Sequence, residues 1–169
     1  MGTKHIEGIF LDMCQIREID LNPAIFASFQ NLRLLRFYNS YLEDRHKVCL
    51  SSDLECLPKK LRYLYWHGYP SKSLPASFCP ENLVELSMPY SNIEQLWNGV
   101  QHLENLKKMD LSYSRKLTKI PNLSRAPNIE SINLENCTSL FKVPPSITKC
   151  QEADSPEPQI LQKSWESSK

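Results

Sequence analysis

The sequence predicts an α/β solenoid: a short array of stacked repeats, with a concave parallel β-sheet on one side and a mostly irregular or short-helical convex side. Three observations predict it. One apolar spacing recurs five times, as Leu32-x-x-Leu35-x-Phe37, Leu61-x-x-Leu64-x-Trp66, Leu83-x-x-Leu86-x-Met88, Leu106-x-x-Met109-x-Leu111 and Ile129-x-x-Ile132-x-Leu134. The first residues of these copies stand 29, 22, 23 and 23 apart. A second signal, an apolar residue followed in most cases by Pro, recurs at Leu57-Pro58, Leu74-Pro75, Leu96-Trp97, Ile120-Pro121 and Val143-Pro144, 13 or 14 residues after the strand starts of the regular units.

An L-x-x-L-x-L unit of this length is a leucine-rich repeat, in which a strand and a return segment form one turn of a superhelix. The apolar positions of the strand point into the core, and the residues between them point to the other face of the sheet. An apolar residue before Pro suits an extended return segment that buries one side chain and needs no backbone donor. One repeat cannot bury enough apolar surface to offset the entropy of ordering its backbone, so the copies must fold as one cooperative stack.

Taken in order, Ile6–Asp12 alternates with Ile9 and Leu11 on one face, which predicts a strand that opens the sheet as a degenerate zeroth repeat. Asn22-Pro23 predicts a helix N-cap followed by Pro at the first helical position. Ile25, Phe26, Phe29 and Leu32 then fall on one helical face that leads into the first repeat. That repeat carries an insertion at residues 41–56, whose front half, Glu43, Asp44, Arg45, His46 and Lys47, reads as a solvated loop. Residues 1–31 thus lead into the array and 32–149 hold about five repeats, starting at 32, 61, 83, 106 and 129. Residues 150–169, where Trp165 and Ile160-Leu161 stand isolated in polar sequence, read as a disordered polar tail. The array is expected to end without a capping repeat, and its last strand edge invites self-association.

Composition narrows the function. Twenty basic and nineteen acidic residues give a net charge of +1, which makes no field that recruits nucleic acid or an anionic membrane. No stretch approaches the length of an apolar membrane span, and the N-terminus has no apolar core of a secretory signal. The six cysteines form no C-x-x-C pair or other close metal spacing, so reduced thiols are expected, with Cys137 buried against the turn of its repeat. Catalysis has little to stand on. His67 falls near Glu85 or Asp12, but no Ser or Cys nucleophile with an orienting partner is placed by the sequence. His5, His46 and His102 are scattered over different elements.

The positions between the strand leucines define the candidate protein-binding face: Phe10 and Asp12, then Arg36 and Tyr38 with Leu34, then Tyr63, Tyr65 and His67. Further along come Glu85 with Ser87, Lys108 and Asp110 with Ser112, and Asn133 and Glu135 with Ser131. The N-terminal half of this face is therefore aromatic, and the C-terminal half is polar with mixed charge. Tyr and Phe beside Arg is the composition of an interaction hot spot. The competing expectation is that these aromatics are β-formers stacking across strands.

Several runs carry a more specific resemblance. They are Ile6–Asp12, Asn31–Tyr38, Leu57-Pro58-x-x-Leu61-Arg62-Tyr63-Leu64-x-Trp66-x-x-Tyr69-Pro70, and above all Asn82–Trp97 followed by Gly99-Val100. Over roughly residues 5–149 the chain resembles the repeat region of plant TIR–nucleotide-binding–leucine-rich-repeat disease-resistance proteins. The resemblance implies a non-catalytic interaction module with a cytoplasmic or nuclear location. Its expected partners are the nucleotide-binding domain of a related receptor, a pathogen effector or a host protein guarded by the receptor. No G-x-x-x-x-G-K-[ST] loop is present, so the nucleotide switch of such receptors is not carried over and no cofactor is expected. A non-functional truncated remnant is the alternative reading, and an enzyme or enzyme adaptor using the concave groove is a third.

Overall fold

The computed structural model describes residues 3–14, 16, 18–39 and 48–141. The charged cluster at 43–47, Val143-Pro144, Cys150 and the 150–169 tail therefore lie outside the described residues. The strands are β1 (Gly8–Asp12), β2 (Ile19–Leu21), β3 (Leu34–Tyr38), β4 (Val48–Leu50), β5 (Tyr63–Trp66), β6 (Glu85–Ser87), β7 (Lys108–Asp110) and β8 (Ser131–Asn133). Six of them form one sheet in the order β1-β3-β5-β6-β7-β8, every pair parallel.

Repeat spacing sets this sheet directly. Each of β3, β5, β6, β7 and β8 begins two residues after the first apolar residue of its copy. The central residues Ile9, Leu35, Leu64, Leu86, Met109 and Ile132 stand in register across the whole sheet. Of these, Leu35, Leu64, Leu86, Met109 and Ile132 are buried, and Ile9 packs on the same core from the edge strand. The return segments close that core from the other side, with Leu57, Leu74, Leu96 and Ile120 buried as their spacing predicts. Between repeats the backbone continues to bond outside the strands: the Leu74 N–H donates to the Leu96 carbonyl at 2.9 Å and the Thr118 N–H to the Glu94 carbonyl at 2.9 Å.

Two further ladders hold the register. The residue before the first leucine is Asn in four copies, and its side-chain amide donates to a backbone carbonyl of the preceding unit. The pairs are Asn31 to Lys4 at 2.6 Å, Asn82 to Lys59 at 3.2 Å, Asn105 to Glu81 at 2.9 Å and Asn128 to Glu104 at 2.6 Å. Eight residues after the first apolar residue of each of the last four copies, Tyr69, Ser91, Ser114 and Cys137 place polar atoms in the interior. Cys137 is buried as expected, and its thiol donates to the Leu111 carbonyl at 3.1 Å.

The N-terminal region departs from expectation in two ways. The helix foreseen from Asn22 is only a 3-10 turn over Ile25–Ser28. The N-cap is Ala24, with no side-chain cap bond, and Asn22 instead closes the turn before it, its Oδ1 accepting the Ala24 N–H at 2.9 Å. Ile25, however, faces solvent rather than the core. An isolated helix this short is marginal. One tight turn is enough to deliver Phe26 into the aromatic cluster of Phe29, Phe37, Trp66 and Tyr69, with Trp66 at its centre. The second departure concerns the insertion, which is expected to be a loop only in its front half, outside the described residues. Its back half forms β4, which pairs in parallel with β2 as a separate two-stranded sheet, and Val48 is buried.

Candidate functional site

The outer face of the six-stranded sheet is built by the residues that alternate with the core leucines. Register places Gly8, Leu34, Tyr63, Glu85, Lys108 and Ser131 in one row across the strands. Phe10, Arg36, Tyr65, Ser87, Asp110 and Asn133 form the next. Asp12 stands opposite Tyr38.

The aromatic half centres on Arg36. Its guanidinium carbon lies 4.8 Å from the centroid of the Tyr38 ring on its own strand and 5.1 Å from that of Tyr65 on the next. Phe10 stands opposite Arg36 on the other side and is 62% exposed, and Tyr63 is 40% exposed. The guanidinium is therefore oriented by two ring faces, each contact being worth about 0.5–1 kcal/mol at an exposed site. Among the described residues Arg36 makes no salt bridge. Burial pushes the Tyr65 phenol above its ordinary range, with Asp110 adding to the effect and Arg36 opposing it.

The polar half is more structural than the sequence suggests. The Asp110 carboxylate accepts the Ser112 N–H at 2.9 Å, and Asn133 Oδ1 accepts the Glu135 N–H at 3.0 Å. At the other end of the sheet Asp12 accepts the Cys14 N–H in the same way at 2.9 Å. These three side chains close the turns that end their strands, a common use of Asp and Asn. Ser87 and Ser112, read as outward from their spacing, are buried. Glu85 is half-buried, whereas Lys108, Asn133 and Glu135 are exposed.

Beyond the strands lies a feature that the sequence reading passed over. Seven residues after the first apolar residue of each of the last four copies stand Gly68, Tyr90, Tyr113 and Asn136, and all four have positive φ, between 55° and 66°. The turn is built from the backbone: the N–H groups of Gly68, Tyr90 and Tyr113 donate to the carbonyls of Pro89, Ser112 and Glu135 at 2.9, 2.9 and 2.7 Å. Glycine and asparagine take this left-handed conformation readily, but for a bulky side chain it costs on the order of 1–3 kcal/mol. The tyrosine rings stack on one another with centroids 4.6 Å apart and planes 9° from parallel. His67 stacks on the outer end, 4.9 Å from Tyr90. The Tyr113 hydroxyl donates to Glu135 Oε1 at 2.9 Å, and this bond raises its pKa, with Asn136 opposing the shift. Comparing the four residues at this repeat position would have flagged the tyrosines. Reading only as far as the strand ends did not.

Among the described residues no group of three or more His, Cys, Asp and Glu side chains is placed to hold a metal ion. No helix among them is long and apolar enough to cross a membrane.

Comparison with known proteins agrees with this architecture. The Leucine Rich Repeat family model matches residues 82–101, the unit that contains β6. Disease resistance protein RPP2A of Arabidopsis thaliana is 50% identical over 149 residues, 88% of this chain and 11% of that protein. Disease resistance-like protein DSC1 from the same plant is 42% identical over 151 residues, 87% of this chain and 12% of its own length. Disease resistance protein RPS6, also of Arabidopsis thaliana, is 43% identical over 148 residues, 86% of this chain and 13% of that protein. The chain thus spans little more than a tenth of the length of these relatives.

Proposed function

We propose that this chain, a leucine-rich repeat segment related to plant disease resistance proteins, is a non-catalytic module that docks on another protein through the outer face of its sheet. The observation that carries the reading is the frame of Phe10, Tyr38, Tyr63 and Tyr65 around Arg36, a cation oriented by ring faces and without a salt bridge among the described residues. Aromatic side chains beside an arginine are the residues that most often dominate binding energy at protein interfaces. Tight cross-strand packing does not call for 62% exposure of Phe10 or 40% exposure of Tyr63.

The partner in this reading is the nucleotide-binding domain of a receptor of the disease-resistance type, held as an autoinhibitory contact. A pathogen effector or a guarded host protein is the other outcome of the test. The whole chain, immobilised, is challenged with such a nucleotide-binding domain beside a Tyr63→Ser, Tyr65→Ser variant. The reading expects association that falls about ten-fold or more in the variant while its melting temperature holds. Equal association by both proteins would leave the aromatics as packing residues only.

A further inference from the structure

We propose that Tyr90 and Tyr113 form a second recognition element on this module, a ledge that takes a cationic side chain of the docking partner, arginine in the first place. The proposal rests on the docking reading above and adds the chemistry of one contact.

The first argument comes from the backbone. Gly68, Tyr90, Tyr113 and Asn136 share one repeat position and one left-handed conformation, and at the first three the main-chain N–H bonds to a carbonyl of the next repeat. Folding of the turn is served by glycine or asparagine, as the flanking repeats demonstrate. A tyrosine there is a side chain that the turn does not ask for, and strained positions of this kind cluster where a surface is used.

The second argument comes from the chemistry displayed. The two rings are stacked within 9° of parallel, which fixes their direction without a buried anchor. At the end of the stack the Tyr113 hydroxyl donates to Glu135, an exposed carboxylate that makes no salt bridge among the described residues. His67 and Tyr113 both stack on Tyr90, so the ring face left to a ligand is that of Tyr113 away from Tyr90, beside Glu135. An electron-rich ring face beside such a carboxylate attracts a guanidinium, whose planar fork both stacks and pairs with the carboxylate. No cation among the described residues fills the place. Arg115 and Lys116 follow Tyr113 in sequence, yet Arg36 is the one cation that lies over an aromatic ring among the described residues.

The test is a titration of the full chain, observed by NMR at the ring signals of Tyr90 and Tyr113, with N-acetylarginine amide and with its neutral isostere N-acetylcitrulline amide. The expected result is a saturable shift of both rings with the arginine compound and binding about five-fold or more weaker with citrulline. Glu135→Gln is expected to weaken the arginine titration by a similar factor. The double variant Tyr90→Asn, Tyr113→Asn is expected to lose it while melting at the same temperature or higher. Shifts that fail to saturate, equal shifts with both compounds, or a double variant that melts lower and still binds arginine would each overturn the proposal. Failure of the docking reading looks different: the arginine titration then succeeds, while capture of the nucleotide-binding domain is unaffected by either the Tyr63/Tyr65 or the Tyr90/Tyr113 variants.

Discussion

The hydroxyls of Ser91 and Ser114, 23 residues apart in the chain, lie 2.8 Å from each other in the buried interior of adjacent repeats. Ser114 Oγ donates to the Met88 carbonyl at 3.2 Å and accepts the Ser91 N–H at 3.2 Å. With that bond assigned, the Ser91 hydroxyl is the donor to Ser114. One side chain thus satisfies three groups that water cannot reach. The return turns of consecutive repeats are tied through this point.

Ser114→Ala should therefore cost about 1–3 kcal/mol in urea denaturation, because it strands a buried N–H, a hydroxyl and a carbonyl together. The Ser91→Ala, Ser114→Ala double variant should lose less than the sum of the single losses, with a coupling of about 0.5 kcal/mol or more. Additive losses would mean that the two hydroxyls do not share a proton.

Strand register predicts a sharp contrast between neighbours. Leu86 is fully buried at the centre of the sheet, and Glu85 faces the other way. Leu86→Asp should unfold the array, since it buries an unpaired carboxylate. Glu85→Ala should shift stability by about 0.5 kcal/mol or less. Circular dichroism melts that show equal losses would contradict the register.

The asparagine ladder should be detectable one rung at a time. Asn105→Ala removes the side-chain bond to the Glu81 carbonyl and should lower stability by about 0.5–1.5 kcal/mol. The exposed pair Lys107–Glu130, at 2.9 Å, is a useful control, and Glu130→Gln should change the melt far less.

Alkaline pH should weaken the fold through Cys137. Burial pushes its thiol from its ordinary value near 9.0 up to about 11, so the folded chain holds a proton that the unfolded chain releases. The associated stability is complete below pH 9 and is lost as pH rises towards 11. Denaturation midpoints should fall across that window in the native chain and stay flatter in Cys137→Ala. A thiol that alkylates in the folded protein at pH 8 would contradict this placement.

Legibility from sequence followed the repeat. The strands, their order and the buried return positions were readable because the apolar spacing recurs and each copy constrains the next. The β2–β4 pair was not, because Ile19–Leu21 and Val48–Leu50 occur once each and carry no period. The helix foreseen at Asn22 rested on local capping signals, which tertiary capture of Phe26 outweighed. On the candidate face, alternation found Arg36 and the tyrosines around it. It could not tell that Asp110 and Asn133 spend a side-chain oxygen on their own turns, nor that Ser87 and Ser112 are covered. The stacked tyrosines lay past the strand, where period-2 reasoning stops applying.

The most direct test of the interaction face is site-specific photo-crosslinking. A p-benzoylphenylalanine is placed in turn at Tyr63, exposed on the sheet, and at Lys72, exposed on a return segment. The chain is then irradiated with the nucleotide-binding domain of a related receptor. Docking through the sheet predicts a crosslink from position 63 and none from position 72. A crosslink from 72 with 63 silent would place the partner on the opposite side and contradict the account.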